Sequence, residues 1–285
     1  MKLTLHSGPS QTSLTAMQRL KSLLATALRP VRRQSTTEWA AANRYLSAKS
    51  TALPGKWNPA VTPWIPGIHE ALDDPAVTKV VARKSAQVAW TDGVLINYLA
   101  KRICVDPCPM IVMFAKEQAA KEFNSEKFSP MAEVTPQVRE RIPVTSKRSA
   151  DNRWSLKGFP GGFLKFVGSN SASSVKSTPA PVVAVEEPDD CNVNVDGQGD
   201  TITLLEERTK TFPRRKVIFG GTPTIEGISR VDEAYKGSDQ RQFYVPCPHC
   251  GKEQTLVWDQ VKWEENAPVV HEVFGKAQPE TAFYV

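Results

Sequence analysis

The chain has 285 residues, 40% of them hydrophobic, enough for one substantial core and a small appendage. No stretch approaches the roughly 18 consecutive apolar residues of a membrane-spanning helix, which excludes a membrane protein of that kind. A net charge of +6 favours acidic partners such as nucleic acid, and five cysteines suit a reducing cytosol better than a disulfide scaffold.

Residues 1–50 hold eight cations against one acid, Glu38. Leu14, Met17, Leu20, Leu24 and Leu28 fall at helical spacing and predict a basic amphipathic helix before Pro30. Such an arm suits docking to a partner or to DNA; a transit peptide and a poorly ordered terminus are the other readings. Trp57 to Pro66, rich in Pro and Trp, reads as an irregular entry loop. Strands are expected at Val77–Val81, Met110–Phe114, Phe163–Val167, Val182–Val185 and Val217–Phe219, and helices at Gly93–Cys104 and Lys116–Phe123. Ser169–Pro181 and Asp189–Asp200 read as loops. Strands apolar throughout, separated by helical or long connections, predict a mostly parallel α/β sheet with helices on both faces. Ligands of such sheets bind at the C-terminal ends of the strands.

Three strand ends carry candidate chemistry. Lys84-Ser85-Ala86-Gln87-Val88-Ala89-Trp90-Thr91 follows the first strand. Its backbone N–H groups suit phosphate, Lys84 offsets phosphate charge, and Thr91 offers a hydroxyl to Mg²⁺. The common phosphate-loop pattern places its lysine just before the hydroxyl residue, where this chain has Trp90, so an ordinary strand-to-helix turn competes. Glu186 and Glu187 end the fourth strand; a metal anchor and a water-orienting base are their functional reading, a polar strand terminus the plain one. Gly220-Gly221-Thr222-Pro223-Thr224 ends the fifth and reads as a phosphate-sensing loop or as simple turn chemistry. Further on, Cys247-Pro248-His249-Cys250-Gly251 has the form of half a zinc ribbon, with His271 and an upstream cysteine as the remaining candidates for a four-ligand site.

In order and spacing these pieces resemble the large subunit of phage terminase, of the lambda-like GpA type. The resemblance runs from about Trp39 to Trp263. It is carried by Lys84-Ser85-Ala86-Gln87-Val88, Pro130-Met131, Phe166-Val167-Gly168-Ser169-Asn170-Ser171 and Val182–Asp190. Asp196-Gly197-Gln198-Gly199-Asp200, Glu207-Arg208-Thr209, Gly221-Thr222-Pro223-Thr224 and Arg241 to Gly251 complete it. It implies a P-loop-like, additional-strand ATPase core that uses ATP and Mg²⁺ to package double-stranded DNA. The implied partners are a small terminase subunit, the portal of a prohead and further copies of the chain, in the host cytoplasm. By resemblance Lys84, Ser85, Gln87, Val88, Ala89 and Thr91 bind the nucleotide, with Thr91 and Glu186 on Mg²⁺. Glu187 takes the catalytic position beside Lys84, Thr222 lies in the coupling loop, and the Trp39–Trp64 region borders the adenine.

Ala89 stands where the family usually has Gly, and Glu186 where it has Asp. The expected division is a basic arm over 1–55, an ATPase core over 56–245, and an incomplete zinc knuckle with tail over 246–285. The family's metal-dependent nuclease region is expected to be absent. Two other readings are a degenerate prophage remnant that binds DNA or nucleotide without turnover, and a zinc-knuckle DNA-binding module without nucleotide chemistry.

Overall fold

The computed structural model describes residues 17–18, 20–21, 24, 34–142, 152–176 and 178–285. The helix expected between Leu14 and Leu28 lies largely outside them; Met17, Leu20 and Leu24 are helical and exposed. Helix α1 (Thr36–Asn43) starts from a reciprocal cap between Ser35 and Glu38. A short antiparallel pair follows, β1 (Tyr45–Leu46) with β2 (Gly55–Lys56). The expected entry loop stops at Ile65, where α2 (Ile65–Asp73) begins, because Pro66 falls in the first helical turn and costs no hydrogen bond there.

The main sheet then assembles. Its strands are β3 (Lys79–Arg83), β4 (Met110–Phe114), β5 (Asn152–Arg153), β6 (Leu156–Phe159), β7 (Gly162–Gly168), β8 (Val182–Glu186) and β9 (Lys216–Gly221). Their order is β3-β9-β8-β4-β7-β6-β5. The first five in that order are parallel, and β6 and β5 add an antiparallel edge. All five expected strands are present within a residue or two at most ends. The antiparallel edge was not foreseen, since Leu156–Phe159 carries Lys157 and Gly158 in place of an apolar run.

Alternate residues of the central strands feed two separate cores. On one face Met110, Val112, Leu164, Phe166, Val182 and Ile218 pack with residues of α1, α2 and of α3 (Ile96–Cys104). On the other, Ile111, Met113, Val183, Val185, Val217 and Phe219 pack against Val175, Ile202 and Leu205. Val175 belongs to α7 (Ala172–Lys176), a helix inside the expected Ser-rich loop; Ile202 and Leu205 belong to α8 (Thr201–Glu206). Between β4 and β5, α4 (Glu117–Glu122) runs through a π-helical turn at Phe123–Phe128 into α5 (Ser129–Val134), and α6 (Pro136–Arg141) follows. After β9 come α9 (Arg230–Lys236) and two small antiparallel pairs. These are β10 (Val245–Pro246) with β11 (Glu253–Gln254), and β12 (Val261–Glu264) with β13 (Gln278–Tyr284).

Lys216, at the start of β9, is 4% exposed and tethers α2 to the sheet. Its Nζ donates to the carbonyl of Ala71 at 3.4 Å and to those of Asp74 and Val77. A cation at a helix C-terminus satisfies carbonyls that the helix itself leaves open. Replacing it strips a shared donor from part-buried carbonyls. Lys216→Met should therefore lower the unfolding free energy by about 2–4 kcal/mol in urea titration; a change below about 0.5 kcal/mol would refute the tether.

Candidate functional site

The tips of β3, β8 and β9 meet at one edge of the sheet, and β9 lies between the other two. That order brings the Lys84–Thr91 loop, the paired acids and Thr222 together. Glu187 is the hub. Its Oε1 receives Lys84 Nζ at 2.7 Å, and its Oε2 receives the backbone N–H of Thr222 at 2.9 Å. The Glu187 backbone sits at φ 51°, and its N–H donates to Gly220 O at 2.9 Å. Lys84 N–H donates to Gly221 O at 3.1 Å, so the three loops are joined by backbone as well as by charge.

Glu186 points inward, 9% exposed. Trp90 Nε1 donates to its Oε1 at 2.7 Å and Thr91 Oγ1 to its Oε2 at 3.2 Å. Burial raises its carboxyl to about 7, against the opposing pull of the Trp90 bond and the Lys84 charge. A buried carboxylate and hydroxyl at this spacing are the hard oxygen donors that Mg²⁺ takes, so the set fits that ion. Ser85, Ala86 and Gln87 are exposed. Gln87 and Ala89 both adopt the left-handed backbone, with φ 60° and 58°. This is the twist that turns successive N–H groups toward an anion. A π-helical turn, Trp90–Leu95, starts directly after it and leads into α3.

A cavity of about 760 Å³ opens from the loop along β3, lined by Trp64, Ile68, Val81, Lys84, Tyr235 and Phe243 among others. Trp64 donates its indole N–H to Val88 O at 3.1 Å and meets Phe243 edge to face, 6.3 Å between centroids. Trp39, in contrast, is buried in the core, 1% exposed. Beyond Thr222, the Thr224 hydroxyl and N–H donate to Asp189 at 2.7 and 3.1 Å, and Arg230 pairs with Asp200. Sequence reasoning assigned no role to Trp90, Asp189, Asp200 or Arg230. A usable signal lay in an indole at the lysine position facing a strand that ends in Glu.

The incomplete zinc knuckle expected at Cys247 and Cys250 gains no support as a metal site. Cys247 and Cys250 lie on the turn between β10 and β11, where Gly251 at φ 72° makes the bend. Among the described residues, however, no group of three or more His, Cys, Asp or Glu side chains is placed to hold a metal. His271 spends its Nδ1 on the N–H groups of Val273 and Phe274 in its own turn. A two-thiol turn falls short of the four ligands that a structural zinc needs.

A family model described as the ATPase domain of phage terminase large subunit gpA matches residues 51–285. The terminase large subunit of Enterobacteria phage P21 is 28% identical over 242 residues, which cover 82% of this chain and 37% of that protein. That of Escherichia phage lambda is 25% identical over 267 residues, 90% of this chain and 41% of that one. The chain thus spans about two fifths of the length of these curated relatives. The crystal structure of the HK97 bacteriophage large terminase aligns with a TM-score of 0.54 at 14% identity, over 74% of this chain and 42% of that one. This last likeness is one of fold.

The buried acid yields a pH prediction. Glu186 keeps its proton in the folded state up to about 7, against an ordinary value of 4.5. Between those values the folded chain holds more protons than the unfolded one, so stability falls as pH rises through that window. Glu186→Gln lacks this titration. From pH 5 to pH 8 the variant should gain on the parent by on the order of 2 kcal/mol in denaturant titrations. A gap that stays flat with pH would show that Glu186 is charged and paired throughout.

Proposed function

The chain belongs to the phage terminase large subunit gpA ATPase-domain family, and we propose from that premise that it is the ATP-hydrolysing part of a DNA-packaging motor. The observation that carries this reading is the junction at Glu187. One carboxylate sits within hydrogen-bond reach of the loop lysine on one side and the third loop's backbone on the other. The P-loop-like, additional-strand character is supported by β9, which lies between the loop strand and the acid strand.

In this reading the Lys84–Ala89 loop wraps the phosphates and Lys84 leaves Glu187 to offset their charge. The released Glu187 then orients the attacking water. Thr91 and Glu186 would hold the nucleotide's Mg²⁺, which when bound offsets the charge of the phosphates. The base would lie in the cavity against Trp64, next to the loop through the Trp64–Val88 bond. Thr222 shares Glu187 with the loop, so the state of the phosphates bears directly on the β9 tip and on α9 behind it.

Double-stranded DNA as the cargo, a small subunit, a portal and neighbouring copies as partners, and assembly in the host cytoplasm complete the proposal. The N-terminal cations would contribute to a DNA affinity that weakens steeply with salt. The orderly convergence of acids, lysine and hydroxyl supports a working site over a decayed remnant.

Two variants test the assignment. Lys84→Ala leaves phosphate charge unopposed and should weaken ATP binding more than about tenfold in calorimetry. Glu187→Gln should bind ATP as the parent does while turnover falls by about 10²–10³-fold. Hydrolysis by Glu187→Gln at the parent rate would remove Glu187 from the catalytic position.

A further inference from the structure

Trp90 is the loop side chain to which the ATP reading gives no task. It stands at the junction of loop and helix, 4% exposed, where the common phosphate-loop pattern has its lysine. Its indole makes two contacts at once. Nε1 donates to Glu186 Oε1 at 2.7 Å. The ring also fills the space beside Gly220, where a Cβ would lie 1.9 Å from Cε2 and 2.2 Å from Nε1. One side chain therefore touches the tips of both β8 and β9.

Glutamate carries one more torsion than aspartate between backbone and carboxylate, and that torsion must be fixed for a metal to find the oxygens in place. Thr91 meets only Oε2, at 3.2 Å. The indole N–H takes the other oxygen, and the pair of donors sets the plane as well as the reach of the carboxylate. An indole N–H only donates, so it orients the acid without competing for a cation. Gly220 leaves the ring no alternative seat to lose, since the ring occupies the volume a side chain there would need.

We propose that Trp90 is a positioning residue that orients the Glu186 carboxylate toward the Mg²⁺ carried by the nucleotide. The proposal rests on the ATP-site reading. It assigns to the position vacated by the displaced lysine a metal-orienting role in place of a phosphate-binding one. Residues that orient a metal ligand from behind are worth about tenfold or more in metal affinity.

Trp90→Phe keeps a ring against Gly220 and removes the N–H. In the full chain, Mn²⁺ binding in the presence of ADP, followed by electron paramagnetic resonance, should weaken about tenfold. The Mg²⁺ needed for half-maximal ATP hydrolysis should rise by a similar factor, while ADP affinity in EDTA holds within about twofold. In a Glu186→Ala background the same change should cost no further Mn²⁺ affinity, which a packing role would not predict. Gly220→Ala, which displaces the ring by another route, should reproduce the metal effect. An unchanged Mn²⁺ affinity in Trp90→Phe, or equal weakening of ADP binding with and without metal, overturns the proposal. A parent chain that binds ADP under neither condition overturns the ATP reading beneath it, and the parent measurement alone separates the two failures.

Discussion

Burying a carboxylate at the tip of an apolar strand is unfavourable unless donors meet its oxygens, and Glu186 meets that condition only through residues of another strand's loop. This requirement organises the whole edge of the sheet. Trp90 and Thr91 can reach Glu186 only if the loop after β3 turns back over β8. It does so across β9, whose end must then be free of side chains where the indole crosses it. Gly220 follows from the acid that is its register partner on the neighbouring strand. A change at any of these positions is therefore felt at the others, and their effects should couple rather than add.

Glu187 works under a different constraint. It is half exposed, and its backbone is held at φ 51°, a conformation that costs a residue with a Cβ on the order of 1 kcal/mol. Five non-glycine residues among the described ones have positive φ, and three of them, Gln87, Ala89 and Glu187, belong to this site. Strain concentrated in this way is kept where the surrounding contacts over-determine the backbone. Here the bonds of Lys84 and Thr222 to one carboxylate, and of the Glu187 N–H to Gly220, do so. The same contacts hold a charged side chain ready beside the loop. Because Lys84 and Thr222 share it, a ligand that draws Lys84 away alters the balance at the β9 tip without any distant relay.

The strands were legible because Met110–Phe114, Val182–Val185 and Val217–Phe219 are apolar on both faces, as a doubly covered sheet demands. Their order was not. Nothing in a run of valines says that β9, the last strand of the sheet, inserts between β3 and β8. The β5 and β6 edge was silent because half-buried strands with Lys and Gly carry no strong period. Helix α7 hid in a Ser-rich stretch; Ala172 and Val175, both buried, hold a helix there against weak local propensity. The candidate residues were picked out as types at strand ends, yet their pairings were beyond sequence, since Lys84 and Glu187 are 103 residues apart. The two-cysteine turn was legible as a shape, whereas the remaining ligands proposed for it were not, because they must come from elsewhere in the fold and His271 turns its Nδ1 to its own backbone.

Two departures from the common phosphate-loop pattern, Lys84 displaced to the front and Trp90 at the loop's end, and one from the family's usual residue, Glu for Asp at 186, look like separate defects in the sequence. In the folded chain they form one arrangement. A lysine at the front of the loop reaches Glu187, on the outer side of the acid pair, and leaves Glu186 Oε1, the oxygen Thr91 does not meet, without a donor. An indole at the loop's end supplies that donor, and its length suits a glutamate better than an aspartate, whose carboxylate would stop a methylene short of the 2.7 Å bond. Trp90 in turn demands Gly220 beneath it. Reverting one of the three to the common residue would leave the other two mismatched: a lysine at 90 would face a buried glutamate with Gly220 leaving a void, and an aspartate at 186 would leave the indole N–H buried and unpaired. The cost of an unpaired buried donor, about 1–3 kcal/mol, is what binds the set together.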